Sequence, residues 1–313
     1  MNRSSQERKR KLMGFTNMRG DLIRLATGLL AMALAGCAGA PPLAERETKA
    51  ASVAQQGELE KFRIATTRFD LVGFRNIRTP GEALTVFIEG DGAAWQTRNK
   101  PSSDPTPVSM TMLAVAASDP GPNTVYLARP CQFTGAENGT ARNCRPELWT
   151  LAPYSEEVVA AMNEALNKIK AQTGSSSLRL VGYSGGGAIA TLLAARRKDV
   201  TSLVTIAGLL DNAEFTSFHH VRPLDYSLDP LSVAATIARL PQIHYSGGED
   251  DIVPPTIAAS FIRHMPVPNC ARQIVLSDME HQGDWAARWP ALSTRPPSCP
   301  GDLPKSAAST RSR

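Results

Sequence analysis

A serine lies among glycines in the segment Gly182-Tyr183-Ser184-Gly185-Gly186, directly after an apolar run. A serine hydroxyl is a weak nucleophile at neutral pH, so it needs exposure, a neighbouring base and a group that stabilises the oxyanion it generates. Glycines two positions before and after Ser184 leave room for a tight strand-to-helix turn, and the N–H of Gly185 would point to where an oxyanion forms. These residues predict a nucleophilic serine.

The same segment resembles the nucleophile elbow of the α/β-hydrolases, in which a strand, a sharp Gly-x-Ser-x-Gly turn and a helix follow one another. The resemblance implies an α/β fold, with a mostly parallel central sheet flanked by helices. It also implies that an acidic residue and then a histidine follow the serine, each after a later strand. As an arrangement of elements it covers roughly residues 60–290, and its specific motifs occupy a few dozen positions.

The acidic residue is expected in residues 247–254, Gly-Gly-Glu-Asp-Asp-Ile-Val-Pro. This segment resembles the family's GxxDxxVP acid loop, whose frame puts Asp250 at the acid position, with Asp251 and Glu249 as close alternatives. A carboxylate there would hold an imidazole in one tautomer and stabilise its protonated form. A solvated acidic turn is the alternative interpretation, because glycine and proline suit it equally well.

His281 is the predicted base, because it lies a few residues after the last predicted strand, where the family keeps its catalytic histidine. The chain contains five histidines. The other four lie in a predicted helix, in a predicted strand, or between nucleophile and acid in chain order: His264, His244, and His219 with His220. Position and elimination therefore favour the same residue.

A second oxyanion donor is expected after an early strand. An apolar run at residues 84–88 leads into Gly90-Asp91-Gly92, where the family often has His-Gly. The N–H of Asp91 is expected to face Gly185. The departure from His-Gly leaves the identity of the donor open, and a glycine turn that merely ends a strand is the alternative.

Short β-type runs alternate with helical stretches along the chain, the pattern of a parallel sheet built from βαβ units. Strands are predicted at residues 62–68, 84–89, 124–128, 178–182, 202–207, 242–246 and 272–276, and helices at residues 154–171, 184–197 and 255–264. Together with the resemblance to the α/β-hydrolases, this alternation predicts one α/β-hydrolase domain at residues 59–295. The polar, proline-rich residues 296–313 are predicted to be a disordered tail.

The N-terminal residues have the features of an export signal. A basic stretch, an uncharged apolar run at residues 25–34 and two small residues precede Cys37, and the apolar run is too short to span a bilayer. Residues 34–37, Leu-Ala-Gly-Cys, resemble the lipobox of bacterial lipoproteins. That resemblance implies that residues 1–36 are a signal peptide and that Cys37 is lipidated. An ordinary secretory signal that happens to contain a cysteine is the alternative.

The lipobox also implies an address. Ala38 is not an acidic retention signal, so the expected location is the cell envelope, at the outer membrane and facing the periplasm. Residues 37–58 are rich in Ala, Glu and Gln and include two prolines, and they are predicted to form a tether between membrane and domain.

Four further cysteines lie in a chain that is expected to reach an oxidising compartment: Cys131, Cys144, Cys270 and Cys299. They allow three disulfide pairings. Pairing of sequence neighbours is preferred, because each bridge would staple a loop beside a predicted strand. A metal site is disfavoured, since no pair has CxxC spacing and no histidine lies near them in sequence.

The charge distribution argues against nucleic acid as a partner. The formal charge of +5 arises from seven basic and two acidic residues within residues 1–36, and the remaining 27 basic and 27 acidic residues balance. A neutral body provides no electrostatic footprint for nucleic acid. No metal or organic cofactor is implied either.

Together these features predict a serine hydrolase in the cell envelope that cleaves a small-molecule or lipid ester through an acyl-enzyme intermediate, with the membrane contacted through Cys37. Two alternatives stay open. One is a peptidase or thioesterase that uses the same three side chains, and the other is a non-catalytic binding or assembly lipoprotein with the same fold.

Lipidation can be tested by Cys37→Ser, which removes the acylated thiol. We expect the variant to move from the membrane fraction to the soluble fraction, because an unacylated chain lacks the apolar anchor. The measurement is immunodetection after cell fractionation, with Cys270→Ser as a cysteine control that should stay in the membrane fraction. Unchanged membrane association of Cys37→Ser would refute the lipobox.

Overall fold

Within the residues that a computed structural model describes, 40–136, 139 and 141–299, eight strands form one central sheet. Along the chain, the strands are β1 (Glu60–Ala65), β2 (Asp70–Ile77), β3 (Leu84–Ile88), β4 (Trp95–Thr97), β5 (Lys100–Pro101), β6 (Asn123–Leu127), β7 (Leu178–Tyr183), β8 (Val200–Ile206), β9 (Gln242–Gly247) and β10 (Ala271–Leu276). The sheet order is β1-β2-β6-β3-β7-β8-β9-β10, and β4 pairs with β5 in a separate hairpin. In this sheet β2 runs opposite to the other seven strands, which all point the same way.

The parallel strands bring the predicted site residues to one edge of the sheet. Ile88 of β3 pairs with Gly182 of β7, and β9 pairs in register with β10 from their first to their last residues. The carboxyl ends of β3, β7, β9 and β10 therefore face the same way. Each of the segments that carry Asp91, Ser184, Asp250 and His281 starts from one of these ends.

Helices cover both faces of the sheet. They are α1 (Leu43–Gln56), α2 (Thr111–Ala117), α3 (Glu156–Thr173), α4 (Gly185–Arg196), α5 (Asn212–Phe218), α6 (Pro255–Arg263) and α7 (Trp285–Ser293), with short 3-10 turns at Pro146–Trp149 and Pro230–Val233. Buried residues of α3, α4 and α6 join one apolar cluster, and those of α1, α2 and α7 join another. Val86 belongs to the first cluster and its neighbour Phe87 to the second, because successive side chains of a strand point to opposite faces.

The strand pattern predicted from sequence is confirmed except at the start of the sheet. The first predicted strand, at residues 62–68, ran across the turn that separates β1 from β2, and β2 itself was missed. Polar residues and Gly73 interrupt the apolar pattern of β2. Gly73 is needed there, because a Cβ would lie within 3.0 Å of the Phe62 ring of the neighbouring strand. Helices α3, α4 and α6 match the predicted helices within two residues.

The prediction of a tether at residues 37–58 is corrected, because α1 occupies most of that interval and packs against the domain. Ala50 and Ala54 are buried in the second apolar cluster. Arg46 is also buried, and its Nη1 donates to the carbonyl oxygen of Thr106 at 2.6 Å and lies 3.3 Å from Oδ1 of Asp104. An Ala- and Glu-rich segment after proline also suits a helix start. The packed domain therefore begins near residue 43.

The four cysteines pair as sequence neighbours, as preferred. Cys131 is bonded to Cys144 and Cys270 to Cys299, with Cα–Cα distances of 5.6 and 4.4 Å. The first bridge closes the loop after β6, and the second joins the segment before β10 to the residues after α7. Both therefore cross-link loops at the ends of sheet strands.

Several predictions fall on residues that lie outside the described part of the chain: the signal peptide at residues 1–36, the lipidated Cys37, and the tail beyond residue 299. Among the helices of residues 40–136 and 141–299, none has both the length and the apolarity needed to cross a membrane.

Docking of α1 can be tested with Arg46→Ala. We expect the free energy of unfolding to fall by about 3 kcal/mol, because the substitution removes one partner of a buried ion pair and leaves carbonyl groups unpaired. Urea unfolding measures it. Gln55→Ala, at an exposed position of the same helix, should change the value by less than about 0.5 kcal/mol. Equal, small effects of both variants would mean that α1 does not hold to the domain in solution.

Candidate active site

Ser184 lies at the turn between β7 and α4, in a backbone conformation with φ 52° and ψ −126°. Positive φ is unfavourable for a residue with a side chain, so neighbouring contacts must hold it. The Ser184 N–H donates to Ile206 at 3.0 Å, and its carbonyl oxygen accepts from Gly187 and Leu209 at 2.9 and 3.0 Å. These bonds connect the turn to the end of β8 and fix the direction of the serine side chain.

The glycines around Ser184 permit this turn by close approach. A Cβ on Gly182 would lie within 3.0 Å of the Gly186 carbonyl oxygen, and a Cβ on Gly186 within 3.0 Å of the carbonyl oxygens of Ile88 and Glu89. Side chains there would push α4 away from the sheet. The Gly-x-Ser-x-Gly spacing is therefore required by contact between backbones.

The structure brings Ser184, His281 and Asp250 together in a hydrogen-bonded chain. Oγ of Ser184 lies 3.1 Å from Nε2 of His281, whose Nδ1 lies 2.9 Å from Oδ2 of Asp250. All three residues are largely buried, whereas Glu249 and Asp251 are exposed. Of the three acidic candidates, Asp250 is thus the one that contacts the imidazole.

Local contacts orient both partners of the serine. Oδ1 of Asp250 accepts the N–H groups of Ile252 and Val253 at 2.9 and 2.7 Å, which leaves Oδ2 for the imidazole. Since an ionised carboxylate only accepts, Nδ1 of His281 must carry the proton in that bond and Nε2 is left to accept from Ser184. The resulting tautomer is the one that removes a proton from a serine hydroxyl.

The backbone of His281 is also held. Its carbonyl oxygen accepts from the Tyr183 hydroxyl and from Nε1 of Trp285, each at 3.0 Å. The rings of Tyr183 and His281 lie 5.1 Å apart between centroids. Tyr183, which directly precedes Ser184, thus positions His281. The turn at Ser184 and the loop that carries His281 therefore pack together as one unit.

The loop that is predicted to stabilise the oxyanion, at Gly90 and Asp91, lies against Ser184. A Cβ on Gly90 would stand 3.2 Å from the Cβ of Ser184, and one on Gly185 would lie within 3.0 Å of the Asp91 carboxylate. Among the described residues, the N–H groups of Gly185 and Asp91 have no hydrogen-bond partner. The two residues that carry these unpaired donors therefore adjoin Ser184, Gly185 in sequence and Asp91 through the contacts of its loop.

Three residues that the sequence did not reveal surround the Asp91 loop: Arg129, Gln132 and Tyr154. Arg129 forms an ion pair with Asp91 through Nη1 and donates from Nη2 to the Pro153 carbonyl oxygen at 2.5 Å. The Tyr154 hydroxyl donates to Oδ2 of Asp91 at 3.0 Å, and burial raises its pKa well above the ordinary value, so it stays protonated. The one available signal was position, since Arg129 and Gln132 follow β6 at the same sheet edge.

Glu89 provides a second buried carboxyl under the same loop. Its Oε1 accepts the N–H of Gly90 at 2.8 Å, and its Oε2 accepts the hydroxyl of Tyr126 at 2.7 Å. Burial raises the pKa of Glu89 to about 7, although both hydrogen bonds and the charge of Arg129 act in the opposite direction. Within the part of the chain that the structure describes, no three His, Cys, Asp or Glu side chains converge as metal ligands do.

Comparison with known proteins agrees with this architecture. The structure superimposes on the Pyrococcus furiosus esterase Pf2001 with a TM-score of 0.54 at 13% identity, covering 78% of this chain and 93% of that one. The sequence profile of the family described as alpha/beta hydrolase fold matches residues 112–231. The chain has the α/β-hydrolase fold. The matched part of this α/β-hydrolase fold includes Ser184, whereas Asp250 and His281 lie beyond it.

Two further solved structures share the α/β-hydrolase fold. Est1E from Butyrivibrio proteoclasticus superimposes with a TM-score of 0.53 at 11% identity, over 75% of this chain and 95% of that one. The Pyrococcus horikoshii acylaminoacyl peptidase gives 0.54 at 12% identity, over 75% of this chain and 40% of that one. No curated protein sequence matches the chain.

Glu89→Gln tests the buried carboxyl through the pH dependence of stability. A folded-state pKa of about 7, against an ordinary value of 4.5, means that the folded protein keeps a proton that the unfolded chain releases. The stability from the neutral carboxyl is therefore complete below pH 4.5 and is lost as the pH rises through 7, by roughly 3 kcal/mol.

We expect the stability of the wild type relative to Glu89→Gln to fall by about that amount between pH 4.5 and 8, measured by urea unfolding. Glu82→Gln, an exposed position just before β3, provides the control and should show no such pH dependence. A pH-independent difference for Glu89→Gln would mean that Glu89 is charged in the folded protein.

Proposed function

We propose that this protein is a serine hydrolase that cleaves carboxylic esters through an acyl-enzyme intermediate, with Ser184 as nucleophile, His281 as base and Asp250 as the residue that orients the base. The observation that carries the proposal is the hydrogen-bonded chain from Ser184 Oγ through both ring nitrogens of His281 to Asp250. The likeness to an esterase from Pyrococcus furiosus supports it.

In the acylation step, Nε2 of His281 takes the proton of the Ser184 hydroxyl while Oγ attacks the ester carbonyl carbon. The carbonyl π electrons move to oxygen, and the N–H groups of Gly185 and Asp91 stabilise that oxyanion. Asp250 stabilises the imidazolium that forms. The tetrahedral intermediate collapses, the bond to the alcohol oxygen breaks, and His281 donates its proton to the leaving alcohol.

Deacylation repeats the sequence with water. His281 takes a proton from water, the hydroxide attacks the acyl carbonyl carbon, and the oxyanion forms beside the same two donors. When the intermediate collapses, Ser184 leaves as an alkoxide and recovers its proton from His281. A carboxylic acid and the free enzyme result.

A negative side chain beside an oxyanion would oppose catalysis, so the charge of Asp91 needs compensation. The Asp91 carboxylate lies against Gly185, and Arg129 pairs with it while Tyr154 donates to it. The pair is neutral as a unit. The loop can therefore present the N–H of Asp91 without presenting a net negative charge.

For the location, we propose a lipoprotein of the cell envelope, anchored through lipid on Cys37 at the outer membrane and facing the periplasm. The lipobox at residues 34–37 supports this proposal. Two cysteine pairs at bonding distance agree with an oxidising compartment. Its substrate would then be a small-molecule or lipid ester that reaches the periplasm.

The proposed function is tested by hydrolysis of a short-chain nitrophenyl ester and by labelling with an active-site phosphonate. We expect the wild type to be labelled and Ser184→Ala not to be, because the label bonds to the serine oxygen. Asp250→Asn should lower kcat by about 10³- to 10⁴-fold, because the imidazole loses the partner that fixes its tautomer.

Asp251→Asn is the matched control, since it makes the same chemical change at the adjacent, exposed position and should leave kcat within about threefold. A folded wild type that is neither labelled nor active would favour the non-catalytic binding or assembly lipoprotein. A larger effect of Asp251→Asn than of Asp250→Asn would contradict the assigned acid.

A peptidase or thioesterase uses the same three side chains, and the acylaminoacyl peptidase from Pyrococcus horikoshii shares the fold. The bond that is cleaved can be identified by kcat/KM on an ester, a thioester and an amide that carry the same acyl group. A preference for the amide or thioester would replace the ester assignment and leave the roles of Ser184 and His281 unchanged.

A further inference from the structure

The peptide unit between Gly90 and Asp91 is held by hydrogen bonds on its carbonyl side. The Gly90 carbonyl oxygen accepts from Nε2 of Gln132 at 3.0 Å. Oε1 of the same side chain accepts the backbone N–H of Arg129 at 2.9 Å, so the amide of Gln132 can have only one orientation. Gln132 is 1% exposed, so water does not compete for these bonds.

Peptide planarity transmits this contact to the other side of the unit. In a trans peptide the C=O and the following N–H point in opposite directions. The carbonyl of Gly90 points to Gln132, and the N–H of Asp91 therefore points away from Gln132. That N–H has no partner among the described residues, and Gly90 lies against the Cβ of Ser184.

The groups on either side of the peptide unit are held by contacts of their own. Glu89 holds the N–H of Gly90 at 2.8 Å, and Arg129 with Tyr154 holds the side chain of Asp91. These contacts fix the positions of the two residues, whereas, among the described residues, the bond from Gln132 is the one made to the peptide unit itself. Its loss would let that unit turn while its neighbours stay in place.

We propose that Gln132 is a positioning residue that aims the N–H of Asp91 at the oxyanion. The inference rests on the proposed function, because the oxyanion belongs to the serine hydrolase reaction. Gln132 does not touch the substrate. It acts through the Gly90 carbonyl oxygen, and its effect is confined to steps in which negative charge develops on the substrate oxygen.

Gln132→Met tests the proposal, because methionine keeps the length of the side chain and removes the donor. We expect kcat on a short-chain nitrophenyl ester to fall roughly 10- to 100-fold, with KM within about threefold, since a misdirected donor affects the transition state more than the bound ester. The rate constant of phosphonate labelling should fall in parallel, because the phosphonyl oxygen occupies the oxyanion position.

Gln242→Met is the matched control. Gln242 is equally buried, and its Nε2 donates to the Ile237 carbonyl oxygen at 2.8 Å, but it lies at the opposite end of the strands. Both variants should lower the melting temperature, and only Gln132→Met should lower kcat. The pH profile of Gln132→Met should keep the wild-type shape, because the imidazole is unchanged.

If Gln132→Met does not fold, Gln132→Leu provides the second variant, since it is of similar size and also removes the donor to the Gly90 carbonyl oxygen. Wild-type kcat in a folded Gln132 variant, together with an inactive Ser184→Ala, would overturn this inference alone. A folded wild type that neither hydrolyses the ester nor reacts with the phosphonate would overturn the proposed function and this inference together.

Discussion

Helix α4 starts so close to the sheet that no side chain fits between them at Gly182 or Gly186. This closeness lets the chain reverse from strand to helix within one residue, Ser184, at the strained φ of 52°. Such strain costs of the order of 1–3 kcal/mol and persists only where surrounding contacts enforce it. Here the hydrogen bonds to β8 and to the first turn of α4 do so. The other groups of the site can act together only if they are placed correctly relative to the Ser184 hydroxyl, which this turn fixes.

Two polar networks of different character meet at that hydroxyl. On one side, a carboxylate with two backbone donors orients an imidazole, and the network is a linear relay from Asp250 to Ser184. On the other side, Arg129 and Gln132 hold the loop that carries the charged side chain of Asp91, and this network fixes the position of the loop. In the proposed reaction, the first network orients the base that moves a proton, and the second keeps dipoles still while charge develops on the substrate oxygen. Buried polar networks of both kinds rigidify a site when their members are satisfied.

The residues found from sequence are those whose motif encodes backbone geometry. Ser184 and the acid loop have fixed spacings to glycine and proline, so their conformations could be inferred locally. Only the structure could distinguish Asp250 from Asp251, because the choice depends on which side chain turns inward to the N–H groups of Ile252 and Val253. Arg129 and Tyr154 contact Asp91, and Gln132 contacts Gly90, across tens of residues of sequence, and no local pattern marks such contacts. The sequence predicts a tether in place of helix α1 because the inward face of the helix carries arginine and small alanines instead of an apolar stripe.

The docking of α1 leaves only a few residues between Cys37 and the packed domain. A free chain from Cys37 to residue 59 would reach about 70 Å when extended, whereas the stretch from Cys37 to Leu43 reaches only about 20 Å. A domain of this size is about 40–45 Å across. The linker from Cys37 to Leu43 would therefore be shorter than the diameter of the domain. If Cys37 carries lipid as proposed, the domain cannot tumble end over end, and the surface around the first turn of α1 stays next to the bilayer. Such a hydrolase would sample the thin layer of periplasm at the lipid surface instead of the whole compartment.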